Sequence, residues 1–283
     1  MSYQAKVVWV TGASSGIGEA LATALLNDGA QVILSGRRVG ELERVAAAAP
    51  DRALILPFET TDYDALPQVV EQAWAWQGKI DVLINNAGVS QRSLALDTRL
   101  EVYRQLIEVD YLAPLALTQL VVPHMVQRRS GHIAVISSVA GKVGTPLRTG
   151  YCGAKHAVVG YFDGLRGEIE EAYGIRVSVI LPGSVQTSVA VNALVGDGSS
   201  RGRSDANIDN GMPVAAAAKI ILDGMAAGQR EIPVAEGKEL AALHFRTQDP
   251  ERLFDMLAKE GARLAALREE GRSIDPSDIR SER

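Results

Sequence analysis

The sequence predicts an α/β protein built as one doubly wound parallel sheet with helices on both faces. Short runs such as Val7-Val8-Trp9-Val10 and Val82-Leu83-Ile84 have strand length and are apolar throughout, as strands covered on both faces are. Between such runs lie stretches whose apolar residues recur at helical spacing, so the two patterns alternate along the chain. Strand, glycine-rich turn, helix and strand also succeed one another within roughly thirty residues at the start, a βαβ unit that requires a parallel pair.

Taken in order, the first run ends in Thr11-Gly12-Ala13-Ser14-Ser15-Gly16-Ile17-Gly18. Ile17, Leu21, Ala24 and Leu25 then share one helical face until Asn27-Asp28-Gly29 stops it. Gln31 to Ser35 is extended, Glu41 to Ala49 helical and Ala53 to Leu56 extended again. Tyr63 to Trp76 is helical, with Leu66, Val69, Val70 and Ala73 on its apolar side, and the strand at Val82 runs into Asn85-Asn86-Ala87-Gly88. Leu100 to about Arg128 reads as one long helix bent near Pro114 and Pro123. Ile133 to Ser137 is a fifth strand, Tyr151 to Tyr173 a helix stopped by Gly174, and Ile175 to Leu181 a sixth strand closed by Pro182-Gly183.

Beyond that point Ser188 to Gly211 is polar and rich in Gly, Ser, Asn and Asp, the composition of a long loop or lid. Pro213 to Gly228 returns to helix, Glu231 to Val234 is a last short strand, and Glu251 to Arg268 a terminal amphipathic helix. No linker or repeat divides the chain. Residues 1–283 are therefore expected to form a single domain, with a core over 5–235, a substrate loop at 188–211 and a helical extension over 236–283.

Bulk properties narrow the function. A chain of 283 residues with 47% hydrophobic content has ample core for one large domain. A net charge of −5 with scattered basic residues gives no footprint for nucleic acid. The single Cys152 excludes an intrachain disulfide and suits a reducing compartment. The first apolar run is too short for a signal-peptide core, and no later one reaches membrane-spanning length, so a soluble cytoplasmic protein is expected, without a membrane partner. His124 and His132 stand in no metal-binding pattern.

Glycines 12, 16 and 18 follow a strand directly and open a helix, spaced G-x-x-x-G-x-G. Such glycines let backbone approach a pyrophosphate, and the helix start supplies free N–H groups and a favourable dipole. Ser14, Ser15 and Ile17 complete the cradle. A tight turn alone accounts for one glycine but poorly for three. The same residues fit G-x-S-x-G, which would make Ser14 a hydrolase nucleophile with a late His such as His244. Only one strand precedes Ser14, however, and that elbow normally follows several.

Further along, Tyr151 and Lys155 are four apart on one helix and so share a face. A free tyrosine titrates near ~10, and a fixed cation beside it favours the phenolate. Ser138, at the end of the strand Ile133-Ala134-Val135-Ile136, can offer a hydroxyl to the same oxygen. Together they suit moving a proton on and off an alcohol or carbonyl oxygen. About twenty residues beyond the glycine loop, where an NAD site wants a carboxylate, stand Gly36, Arg37 and Arg38. Two guanidinium groups there favour a 2′-phosphate, hence NADP (as NADPH) over NAD.

T-G-x-x-x-G-x-G, N-N-A-G, Ser138, Tyr151 with Lys155, and Pro182-Gly183, in that order, strongly resemble the short-chain dehydrogenase/reductase family. The resemblance runs from about Lys6 to Thr187 and more loosely to Val234. It implies a Rossmann-type sheet of seven strands in the order 3-2-1-4-5-6-7, an NAD or NADP cofactor, and a small carbonyl or alcohol substrate. It also implies roles: Tyr151 as general acid or base, Lys155 tuning it and holding the nicotinamide ribose, Ser138 orienting the substrate oxygen. Asn86, Ala87 and Gly88 would line the adenosine side, and Pro182, Gly183, Val185 and Thr187 the carboxamide. A homo-oligomer, dimer or tetramer, is implied through the helices matching Leu100–Arg128 and Tyr151–Tyr173, where Leu112, Leu115, Leu117 and Leu120 suit either a contact or the core.

Two residues depart from the family pattern. Val109-Asp110-Tyr111 stands where V-N-Y is common, so Asp110 occupies the place of a fourth catalytic member. Glu59 stands where an Asp near the adenine is frequent. Cys152 and His156, beside the tyrosine and the lysine, read as helix-packing neighbours. The expected function is an NADP-dependent oxidoreductase. The alternative, a non-catalytic dinucleotide sensor or scaffold, has no use for a tuned phenol.

Overall fold

β1 (Val7–Thr11) is buried at every position, and its side chains alternate between two cores. Val8 and Val10 belong to one, Val7 and Trp9 to the other, which is what a central strand covered on both faces must do. The structure, a computed structural model, describes residues 3–272 and 274. α1 (Gly16–Asn27) lays Leu21, Leu25 and Leu26 on the first core and returns the chain to β2 (Gln31–Ser35), which pairs in parallel with β1. α2 (Val39–Ala46) adds Leu42 and Val45 to the same face before the short β3 (Ala53–Ile55).

α3 (Leu66–Gln77) crosses to the other face with Val69, Val70 and Ala73, and β4 (Val82–Asn85) comes back beside β1. β5 (Gly131–Ile136), β6 (Ile175–Pro182) and β7 (Glu231–Val234) extend that edge. All seven strands are parallel, in the order β3-β2-β1-β4-β5-β6-β7. The order reverses between β1 and β4, and at such a switch point the strand ends open a ligand crevice.

The long helix between β4 and β5 is in three pieces. α4 (Leu100–Ile107) and α5 (Ala113–Arg128) are joined by a π-helical turn over Glu108–Leu112. Pro114 has no N–H to give the carbonyl of Asp110, four residues back, so the interruption falls one turn upstream of the proline. Pro123 lies within α5 without breaking it, and the residue four back, Gln119, faces solvent. The whole run, Leu100–Arg128, is 29 residues with a mean hydropathy of 1.3 in its most apolar window, long and apolar enough to cross a membrane by length and composition. This corrects the expectation that no run is long enough. Here Leu117, Val121 and Met125 of α5 pack into the second core with Val158 and Phe162 of α6 (Thr149–Tyr173).

A second correction concerns residues 188–211. The segment is not an open polar loop. Ala190, Ala193, Leu194 and Ile208 are buried, Leu194 bridges to Gln91, and a short helix, α7 (Ala206–Asp209), is capped by Asp205. Asp205 also receives the Nε of Arg92 at 3.0 Å, an ion pair in which both side chains are almost wholly buried. α8 (Val214–Ala226) then covers the first core.

The extension holds two helices where one was expected, α9 (Gly237–Gln248) and α10 (Pro250–Glu269). They cover the chain leaving β5, with Leu253 packed against Val139 and Val143. Residues 273 and 275–283 of the extension lie outside the described residues.

Candidate active site

Three strand ends converge beside the switch point, and local chemistry fixes each. In the glycine loop Gly12 and Gly16 have φ of +66° and +58°, a left-handed conformation that glycine adopts without strain. A Cβ on Gly12 would stand 2.8 Å from Asn86 Nδ2 and 2.9 Å from Ala87 Cα, and one on Gly18 would collide with the Gly12 carbonyl. The loop is therefore pressed against N-N-A-G. Thr11 Oγ1 accepts from the amides of Asn86 and Ala87, and Asn86 Nδ2 donates to the carbonyls of Thr11 and Gly12. Asn86 thus spends its side chain fastening the loop.

The start of α1 has no side-chain cap: Ser15 accepts nothing from the first turn. Those amides are uncommitted to any side chain and lie where a phosphate group is stabilised. Ser14 Oγ instead accepts from Arg38 at 3.1 Å, and the same guanidinium reaches the Ser14 carbonyl at 3.3 Å. Arg37 is exposed and pairs with Glu59 at 3.3 Å. Across the loop, a Cβ on Gly16 would come within 3.0 Å of Thr187, so the chain after β6 closes the other wall. The donor set, the free helix start and the guanidinium over the loop fit a dinucleotide. The Ser14 hydroxyl, tied to Arg38, has the setting of a loop fastener rather than a nucleophile.

Lys155 is buried on α6, with Nζ donating to the carbonyl of Ile136 at 3.0 Å, lying 3.5 Å from Asp110 Oδ1, and 5.7 Å from the ring centroid of Tyr151. Burial works against its charge, but the pull of Asp110 and Tyr151 outweighs that and raises its pKa. Asp110, on the π-helical turn, is sealed from solvent: Oδ1 accepts from the Val89 amide at 3.0 Å and Oδ2 has no hydrogen-bond partner among the described residues. Burial raises the Asp110 carboxyl, against the opposing charge of Lys155. Gly88 makes this approach possible, since a Cβ there would stand 2.6 Å from Asp110 Oδ1.

Tyr151 is half-buried against Val102, Leu106 and Leu194. Ser138 Oγ donates to the Pro182 carbonyl at 3.2 Å and accepts from the Ala140 amide at 3.1 Å. Its hydroxyl is thereby held at the end of β5, beside the Pro182-Gly183 turn. A phenol and a buried ammonium on α6 thus stand near a hydroxyl just beyond the end of β5, groups of the kind that transfer a proton to or from an oxygen.

Sequence reasoning missed several residues that hold this arrangement. Gln91 is fully buried, and its Oε1 accepts from the amides of Gly150 and Tyr151, fixing the first turn of α6. Glu239 on α9 accepts from the amide and hydroxyl of Ser184, bracing the turn after Gly183. Asn85 Nδ2 donates to Thr118 Oγ1 and ties β4 to α5. Only Asn85 carried a signal, as the first residue of N-N-A-G. Cys152 packs with its thiol near Thr145, and His156 Nδ1 lies 2.8 Å from the Cys152 carbonyl, so both are helix neighbours.

The family model for short chain dehydrogenases matches residues 6–195, the stretch that carries every one of these strand ends up to the start of the 188–211 segment. The chain belongs to that family. This short-chain dehydrogenase is 42% identical over 240 residues to dehydrogenase/reductase SDR family member 7 of Homo sapiens, covering 81% of this chain and 70% of the human protein. Its fold matches a short-chain dehydrogenase/reductase from Burkholderia phymatum solved with NAD, at a TM-score of 0.79 and 21% identity over 89% of this chain and 96% of that one. It also matches a short chain dehydrogenase from Burkholderia cenocepacia J2315 solved with NADP, at 0.77 and 24% over 91% and 99%.

Proposed function

We propose that this short-chain dehydrogenase moves a hydride between NADP(H) and a small carbonyl or alcohol substrate. The observation that carries this is the pairing of Tyr151 with the buried Lys155, whose Nζ lies 5.7 Å from the tyrosine ring. Tyr151 Oη gives its proton to the substrate oxygen in reduction and takes it back in oxidation. The ammonium stabilises the negative charge left on Tyr151 Oη, and Ser138 Oγ, turning its proton from the Pro182 carbonyl, orients the substrate oxygen by a second hydrogen bond. The bound nicotinamide supplies or accepts the hydride.

The solved relatives were obtained one with NAD and one with NADP, so the preference for NADP rests on this chain's own residues. Arg38 lies on the glycine loop through Ser14, and Gly36 adds no carboxylate to repel a 2′-phosphate. Arg37 is held by Glu59 through an exposed ion pair, a contact worth about 0–1 kcal/mol that a phosphate can replace. A panel of aldehydes, ketones and alcohols assayed with both cofactors tests the proposal: absence of turnover with either would leave a binding protein of the same fold.

The same reading carries a homo-oligomer through α4–α5 and α6. Leu117 belongs to the core and Leu120 packs against it, whereas Leu112 and Leu115 are only partly buried and remain for such a contact. Sedimentation is expected to show a dimer or tetramer, and monomer alone at micromolar concentration would reject it.

A further inference from the structure

We infer that Arg148, backed by Arg92, receives a carboxylate carried by the substrate. This rests on the carbonyl/alcohol reading above and narrows it to an oxo acid and the corresponding hydroxy acid. Arg148 is the residue from which α6 starts: its carbonyl accepts from the Cys152 amide at 2.7 Å. It stands at the N-cap of α6, three residues before Tyr151. Its Nε is buried without a hydrogen-bond partner, and no described residue supplies its guanidinium with a carboxylate.

The surroundings make that orphan unusual. Arg92 is buried in the segment packed on that helix start, where the Ser93 amide donates to the Leu147 carbonyl at 3.0 Å and Gln91 Oε1 accepts from the amides of Gly150 and Tyr151. Its pKa falls to about 10, through burial first and then through repulsion by the Arg148 charge; Asp205 and Tyr151 act in the opposite sense. The two guanidinium groups and the tyrosine therefore share one electrostatic space. Asp205 answers Arg92 at 3.0 Å and is also approached by Arg201 at 3.5 Å, so its carboxylate is fully engaged. Arg92 is further fixed by Ser90 Oγ and the Gln91 carbonyl. Two like charges in partly buried space raise each other's energy unless an anion joins them.

Among the described residues an anion reaches Arg92 and none reaches Arg148. A planar guanidinium matches a carboxylate with two parallel hydrogen bonds. A ligand whose carbonyl oxygen meets Tyr151 and whose carboxylate lies a few bonds away completes the set.

Binding of benzoate and of its neutral counterpart benzamide tests this without turnover. Calorimetry is done on the protein saturated with whichever of NADPH and NADH binds more tightly, in wild type, Arg148→Gln and Arg148→Lys. Hydrogen bonds to a charged group correspond to about tenfold or more in affinity, so wild type should favour benzoate by at least that factor. Arg148→Gln should remove the preference while leaving benzamide and cofactor affinity within about twofold, and Arg148→Lys should restore part of it. No benzoate preference in wild type, or equal loss of both ligands in Arg148→Gln, overturns the inference.

If Arg148→Gln fails to fold, the wild-type comparison of phenylglyoxylate with its methyl ester decides: equal KM values for acid and ester overturn it. Benzoate binding that follows Arg148 in a protein that reduces no carbonyl compound would sink the oxidoreductase reading and leave the carboxylate site standing.

Discussion

Lys155 Nζ and Asp110 Oδ1 lie 3.5 Å apart with both side chains sealed from solvent, so the ammonium beside Tyr151 is never an isolated charge. The carboxyl is raised by burial, and the lysine is raised because Asp110 and Tyr151 outweigh its own burial. In Asp110→Asn an amide oxygen can still accept from Val89, and Lys155 keeps the Ile136 carbonyl. Turnover should stay within about tenfold of wild type, since one general acid–base group is worth ~10²–10⁴ and this change removes none.

The pH profile carries the sharper expectation for the same variant. Without a negative charge beside it, the ammonium acts uncompensated on negative charge that develops at the Tyr151 oxygen during the reaction. The rate profile for alcohol oxidation should therefore move to lower pH. A profile that does not move would show Asp110 to be neutral in the working enzyme, and collapse of turnover would show the carboxylate to take part in the chemistry.

A second expectation concerns stability. His132 is buried in β5, with Nε2 2.9 Å from Ser178 Oγ, and burial, aided by the charge of Arg176, lowers its pKa to about 3. Unfolded, it titrates near ~6.5, so the unfolded chain binds the extra proton between those values. The contribution is complete above ~6.5 and is lost as pH falls toward 3, at about 1.4 kcal/mol per pH unit. Urea unfolding between about pH 6.5 and about pH 5, above the range of ordinary carboxylates, should show this slope, and His132→Gln should flatten it. Equal slopes in the two proteins would contradict the assignment.

The centre of the sheet was legible because β1, β4, β5 and β6 are buried on both faces and so appear as nearly unbroken apolar runs. Tyr151 and Lys155 were legible as a pair because helical spacing puts them on one face, and Ser138 because it follows a strand, while the roles given to them came with the family resemblance. The 188–211 segment was not: its polar composition conceals Ala190, Ala193, Leu194 and Ile208, and its anchor, Arg92 with Asp205, joins residues 113 apart in the sequence. Helix α9 has no fully buried residue and hence little apolar pattern to read. The π-helical turn follows from Pro114, but its effect appears at Asp110, where the missing donor is felt. Gln91 and Glu239 act through backbone amides, which no side-chain pattern records.

The proposed preference for NADP rests on Arg38 and Gly36 just beyond β2. Hydrogen bonds to a charged group contribute about 1.5–3 kcal/mol, or roughly tenfold to a hundredfold and more in affinity. Replacing Arg37 and Arg38 by Ala together with Gly36→Asp should weaken NADPH by that factor and NADH little. A Cβ on Gly36 would lie 3.3 Å from Ser14 Oγ, close enough that the loop shifts only slightly. Titration of both cofactors into wild type should show tighter NADPH; equal affinities or tighter NADH would remove the assignment.

The most direct test of the account is NADPH consumption by wild type and Tyr151→Phe at saturating carbonyl substrate, with cofactor affinity measured on both. The phenylalanine ring still packs against Leu106 and Leu194, so NADPH should bind both proteins alike. Turnover should fall by about 10²–10⁴ with the proton donor gone. A variant that retains more than half of wild-type turnover would show that Tyr151 is not the proton donor.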